Sequence, residues 1–223
     1  GNFSLAIEYF KEMVGKTEHS IENDVLLSEL YLKNKNFDDV IELLNPIILQ
    51  GNQSMEILRP LLIAYSSIEN FADEIRIGKI FKNEYPKLSI GYEALSFAFI
   101  DSGDYEKALE MLLLGLNKFP QIISFPYTLG NLYNQSGEYE LAERYYIQTL
   151  SIQSDLISVK HSLAVVYEEM DKPIKCDSLF IEMINFNESN ATGYNDYAYI
   201  LSERENATTE DLKYALELAG KAI

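Results

Sequence analysis

Three observations predict an all-α chain built as a solenoid of antiparallel helix hairpins. First, side-chain types return every 34 residues. Tyr31, Tyr65, Phe99, Tyr133 and Tyr167 form an aromatic column, and Leu27, Leu61, Leu95, Leu129 and Leu163 form an aliphatic one that Tyr197 continues. A third column, Ala6, Val40, Glu74, Ala108, Ala142 and Cys176, is mostly small. Second, each period carries two apolar stripes at helical spacing, separated by a breaker. Third, no useful length alternates with period two, so no strand is expected. A fixed period of this size marks units too small to bury an apolar face alone, and so a stacked array.

The units follow in order. Residues 1–20 match only the second half of one, with Gly1 at the turn and Ala6, Phe10 and Met13 on the helix. Complete units are expected at 21–54, 55–88, 89–122, 123–156 and 157–190, and a final one at 191–223, a single array over 1–223. In 21–54, Pro46 falls within the second helix, where a lost hydrogen bond is expected to bend it. In 55–88, Pro60 interrupts the first helix. Unit 89–122 shows the pattern well. Tyr92, Leu95 and Phe99 make the first stripe, and Tyr105, Ala108, Leu109, Leu112 and Leu116 make the second. Between them Gly103 suits a left-handed turn, Asp104 stands where an N-cap belongs, and Pro120 ends the unit. Unit 123–156 repeats this with Gly137 in the turn. In 191–223, Ala215, Ala219 and Ala222 arrive five residues late, so 204–210 reads as a lengthened turn that Thr208 or Thr209 caps. The whole gives thirteen helices joined by short connections, which forces antiparallel neighbours.

These residues resemble the tetratricopeptide-repeat family, in an array of about six and a half repeats. The likeness rests on Leu129-Gly130, Tyr133, Gly137, Ala142 and Tyr146, and on Tyr92, Leu95, Phe99, Gly103, Ala108 and Pro120, with the other units keeping the same spacing. It implies a right-handed α-α superhelix whose first helices line a concave groove. Two residues depart from the family pattern. Glu74 occupies a site that should be small, where two helices cross closely, and Gly78 stands where a large side chain is usual. The expectation is that the helix tilts, or Glu74 finds a partner, or it reaches water, and that 55–88 is the softest unit.

Composition narrows the function. The net charge of -17 and sequence pI near 4.5 repel phosphate backbones and anionic lipid, so no nucleic acid and no membrane insertion is expected. Cys176 is the only cysteine, which excludes an internal disulfide and leaves cytoplasm and periplasm equally open. No catalytic constellation converges. His19, His161 and Cys176 lack metal-ligand spacing, no phosphate loop or nucleophile motif occurs, and no cofactor is expected. The Asn-x-Ser/Thr triplets at Asn2, Asn52, Asn187 and Asn190 arise by chance in an Asn-rich chain.

What remains is the groove that the resemblance implies. Its central sites hold Arg59, Ile63, Ile90, Glu93, Phe97, Ile100, Tyr127, Asn131, Asn134, His161 and Val165, and its ends hold Glu22, Glu29, Glu168, Glu169, Tyr199 and Glu203. An apolar centre with acidic ends fits a peptide that is apolar with basic flanks. Ile90, Phe97, Ile100 and Tyr127 would anchor it, and Asn131, Asn134 and His161 would fix its backbone. The carboxylate clamp of chaperone-binding members is missing, since its sites hold Val25, Glu29, Pro60, Ile90 and Ala94. The reading is therefore a non-catalytic interaction scaffold, part of a longer protein. A docking arm of an enzyme and a bacterial envelope assembly factor are the alternatives. The uncovered ends, with Phe3, Ile7 and Phe10 at one and Leu212, Leu216, Ala219 and Ile223 at the other, suggest end-to-end self-association.

Overall fold

The computed structural model describes residues 2–14, 20–186 and 191–222. Every regular element among them is a helix. The chain forms two compact units, residues 1–119 and 120–223. The first contains α1 (Phe3–Val14), α2 (Ile21–Lys33), α3 (Phe37–Leu49), α4 (Met55–Ser67), α5 (Phe71–Glu84), α6 (Ile90–Asp101) and α7 (Tyr105–Lys118). The second contains α8 (Ser124–Gln135), α9 (Tyr139–Ile152), α10 (Ile157–Glu169), α11 (Pro173–Phe186), α12 (Ala191–Glu203) and α13 (Thr209–Lys221). Within each unit, successive helices pack on one another. Gly1, His19, Asn187, Asn190 and Ile223 lie outside the described residues.

The columns are the core. Every member of the leucine column, with Tyr197, is buried, and Val40, Ala108, Ala142 and Cys176 are 0% exposed. The aromatic column does a second job at the end of each first helix. Its carbonyls accept from the residue five positions on, at 2.8–2.9 Å: Tyr31 from Asn36, Tyr65 from Asn70, Phe99 from Asp104, Tyr133 from Glu138 and Tyr167 from Lys172. The residue between is left-handed each time, at Lys35, Glu69, Gly103, Gly137 and Asp171. This is a Schellman stop, which satisfies carbonyls the helix end would orphan. The period thus fixes the corner of each hairpin as well as its core. Glycine fills that corner only twice, so three turns hold a side chain where left-handed backbone is costly.

Cap chemistry then starts the second helices. Asp104 accepts from the Lys107 amide, as its position suggested, and Asn70 likewise from Asp73. The last hairpin uses another device. Thr208 and Asp211 form a capping box at the start of α13, after the lengthened turn.

One proline expectation needs correction: α4 runs through Pro60 without ending. α3 likewise continues through Pro46. Pro60 is buried, packed among Leu58, Leu61 and Leu62. Burial offsets the one lost backbone bond.

Glu74 also resolves. Its side chain does not reach water: the residue is 4% exposed and its Oε2 has no hydrogen-bond partner. Gly78, one turn on, lies at a close approach of α5 and α6. A Cβ there would lie 3.1 Å from the end of the Leu95 side chain. Gly91 of α6 comes nearer still, where a Cβ would lie 2.5 Å from the Lys82 backbone nitrogen of α5.

Candidate protein-binding faces

Ile63 and Phe97 are exposed on the first helices, while most of the exposed large apolar side chains among the described residues lie on the second helices. In the first unit, α2 and α4 flank an open groove of about 460 Å³ floored by Val25, Leu32, Met55 and Ile63. Glu29, Glu56 and Arg59 stand on its walls. Pro60 adds a backbone feature there. It has no N–H to give the Glu56 carbonyl, so that oxygen is left to other donors.

Within that same unit, the predicted anchors on α6 divide. Phe97 is 44% exposed, while Ile90 and Ile100 are half-buried and pack against separate parts of the core. Phe97 is the one of the three with a free face.

The second unit places the polar candidates. Tyr127 is half-buried with its ring 6.4 Å from that of Tyr146. The Tyr146 hydroxyl donates to Asn131 Oδ1 at 2.8 Å and orients the amide. Asn134 is half-buried nearby. His161 lies apart from these, in a pocket of about 270 Å³ between α10 and α12 with Ile157, Met183 and Thr192. Its Nε2 is 2.9 Å from Asp196 Oδ2, and its ring stands edge-on to Phe180 at 5.7 Å. Asp196 orients the imidazole, which the sequence spacing alone did not suggest.

Glu168 is not the free acidic end expected of it. Arg204, from the lengthened turn, grips both its oxygens at 2.8 Å and also donates to Asp177 at 2.7 and 3.2 Å. The Arg204 bonds hold the Glu168 carboxyl below its usual range, and the Glu168 bond raises the guanidinium further. The inserted segment is thereby tied to α10 and α11. Burial beside this network pushes the Cys176 thiol up to about 12, so it is a packing group and not a nucleophile. Glu169 accepts from the Tyr139 hydroxyl at 3.2 Å.

Among the described residues no cluster of His, Cys, Asp and Glu could hold a metal ion. No described helix is long and apolar enough to cross a membrane. Exposed apolar side chains also mark α1, at Leu5, Tyr9 and Met13, and α13, at Leu212 and Leu216.

A sequence model of the tetratricopeptide repeat matches residues 127–156. No curated protein matches the chain in sequence. Solved structures are similar in fold. MamA has a TM-score of 0.66 at 20% identity, covering 79% of this chain and 99% of its own. The C-terminal part of a repeat protein from Cytophaga hutchinsonii has a TM-score of 0.73 at 15% identity, covering 88% and 79%. YrrB, described as having an unusual peptide-binding site, has a TM-score of 0.60 at 14% identity, covering 84% and 90%. Residues 127–156 thus match a tetratricopeptide repeat in sequence, and the chain shares the fold of these solved repeat proteins over most of its length.

Proposed function

We propose that the chain is a non-catalytic scaffold that binds a protein or peptide segment on the exposed faces of its first helices. One observation carries this. In each compact unit, neighbouring first helices leave an apolar-floored groove unfilled, between α2 and α4 and between α10 and α12. Solvated helix faces are normally polar, so such grooves call for an occupant. The peptide-binding site of YrrB, a fold relative, supports the same use.

The favoured segment is apolar with basic flanks. On the first unit its apolar side chains meet Phe97, Ile90 and Ile100, and Tyr127 is the corresponding anchor for a segment held on the second unit alone. Aromatic anchors bury large areas at small entropic cost. Asn131, Asn134 and His161 supply hydrogen bonds to a peptide backbone. Glu29 and Glu56 attract the basic flanks, and the chain's charge of -17 speeds their approach. The ends of the molecule belong to the same reading, because Tyr9 of α1 and Leu216 of α13 are 64% and 76% exposed and favour self-association.

The test is capture of partners on the immobilised chain, followed by titration of each captured segment against Phe97→Ala and Tyr127→Ala separately. A hot-spot anchor costs about 1–3 kcal/mol on truncation, and binding should weaken with salt. A partner that binds both variants as tightly as the parent chain sends the contact to the second helices or the turns. Light scattering that finds only monomer at high concentration removes the self-association.

A further inference from the structure

The small-residue column has one carboxylate, Glu74, and among the described residues it is the one buried carboxylate with an oxygen left unpaired. Glu74 stands in the first turn of α5, 4% exposed, between α4 and α6. Its Oε2 meets no donor. From α4 the Ser66 hydroxyl faces it, and from α6 the Asp101 carboxylate. Among the described residues no cation pairs with it. Arg76, on the same helix, is turned to Asp73 at 2.8 Å, and to Asn45 and the Tyr65 hydroxyl at 3.4 and 3.5 Å. Asp73 itself is held by Arg76 and by the Asn70 amide. Relief by movement is also limited, because Gly78 and Gly91 seat α5 and α6 almost backbone to backbone.

We propose that Glu74 is a proton-operated latch of the α4–α5–α6 packing: protonated, it fits the closed hairpin, and ionised, it forces that packing to loosen. A protonated carboxyl can lie in an apolar crossing with one oxygen unpaired at modest cost. An ionised one cannot, since a buried charge without a partner costs several times more. The start of α5 favours the anion, but a helix N-terminus is too weak a field to reverse the balance.

The direction of titration agrees with the geometry. Burial first, and then the Asp101 charge, raise the carboxyl from 4.5 to about 7, and the Ser66 hydrogen bond draws it only partly back. The folded value exceeds the unfolded one. Stability from this group is therefore complete below pH 4.5 and is lost as pH rises through 7. The switch range is neutral pH, where no ordinary carboxylate titrates.

The experiment is amide hydrogen exchange on the whole chain from pH 5 to pH 8, each rate divided by its intrinsic rate. Protection in residues 55–88 should fall on the order of a hundredfold across that range, while residues 123–156 stay level. Glu74→Gln, neutral at every pH, should abolish the fall and keep the protected level. Glu74→Ala, which restores the small side chain, should do the same, and it serves if the glutamine variant does not fold. Asp101→Asn should move the fall to lower pH, because one repelling charge is gone. A level profile in the parent chain overturns the latch. So does an unchanged slope in both Glu74 variants, which would assign the pH dependence to another group.

Discussion

The hairpins of 55–88 and 123–156 share one geometry and reach it by opposite means. In 123–156 each site is filled by the residue that costs least. Ala142 sits at the crossing, 0% exposed. Gly137 makes the left-handed corner at φ 77°. Gly130 clears α8 for the Tyr146 ring, which packs flat against it and donates to Asn131. In 55–88 the crossing holds a carboxylate, the corner is Glu69 at φ 58°, and Pro60 stands in the middle of the first helix, whereas Pro126 of α8 sits in the first turn. The fold survives because a repeat array sums local terms and neighbours can absorb one poor unit. The repeat fixes the backbone, and the individual side chains decide how much strain each hairpin carries.

Removing the best contact should give the largest effect. Tyr146 is 1% exposed and spans α8, α9 and a hydrogen bond. Tyr146→Ala should cost about 3–5 kcal/mol, the range for deleting a buried aromatic, and should lower the protection of 123–156 below that of 55–88. A melt with the order of the two hairpins unchanged would show that Tyr146 does not set their difference.

The next effect is the pH response of Glu74. Raising pH from 5 to 8 should cost 55–88 about 2–3 kcal/mol, since one pK unit is worth 1.36 kcal/mol. The comparison then sharpens with pH and narrows in acid. Equal protection of the two hairpins at pH 8 would break it.

The two glycines should separate in the same sense. At Gly130 a Cβ would lie 2.7 Å from two carbons of the Tyr146 ring, a rigid neighbour. Gly130→Ala should cost about 1–2 kcal/mol, overpacking outweighing the ~1 kcal/mol alanine gains in a helix. At Gly78 the neighbour is the tip of Leu95, 3.1 Å away and able to turn. Gly78→Ala should be close to neutral, because the same ~1 kcal/mol offsets a small shift. Thermal melts of the two variants test this, and a larger loss at Gly78 would reverse the assignment of tight and adaptable sites.

Most of the fold was legible because buried columns must recur when the packing recurs. Leu27, Leu61, Leu95, Leu129 and Leu163 declare a period by type alone. What stayed hidden depends on which atoms meet. Glu168 reads as an acidic surface residue until the inserted turn brings Arg204 to it from 36 positions away. Asn131 gives no sign in the sequence that Tyr146 donates to its oxygen. Pro60 reads as a helix break, yet one lost bond in a buried helix is a small cost. The candidate site was legible as a row of positions, and only the grooves at α2–α4 and α10–α12 show where that row leaves space. The corners were half legible, because Gly103 and Gly137 announce left-handed backbone while Lys35, Glu69 and Asp171 do not. Their signal was the period itself, 34 residues on from each other.

Those corners yield the smallest expected effect. A non-glycine residue in left-handed backbone costs about 1–2 kcal/mol, and glycine escapes this while losing more freedom on folding, about 0.5–1 kcal/mol. The difference leaves a gain of about 0.5–1 kcal/mol for Glu69→Gly. No buried contact is disturbed, since Glu69 is exposed and its backbone N–H bonds to the Ser66 carbonyl at 3.1 Å whichever side chain it carries. The reciprocal change, Gly137→Glu, should cost 123–156 a similar amount, as nothing lies within 4 Å of a Cβ there and only the backbone term acts. Together the two exchanges should bring the corners of the hairpins to parity or past it while leaving the pH response of 55–88 intact. If the exchanges remove that pH response, the strain belongs to the corner at Glu69 and not to the crossing at Glu74.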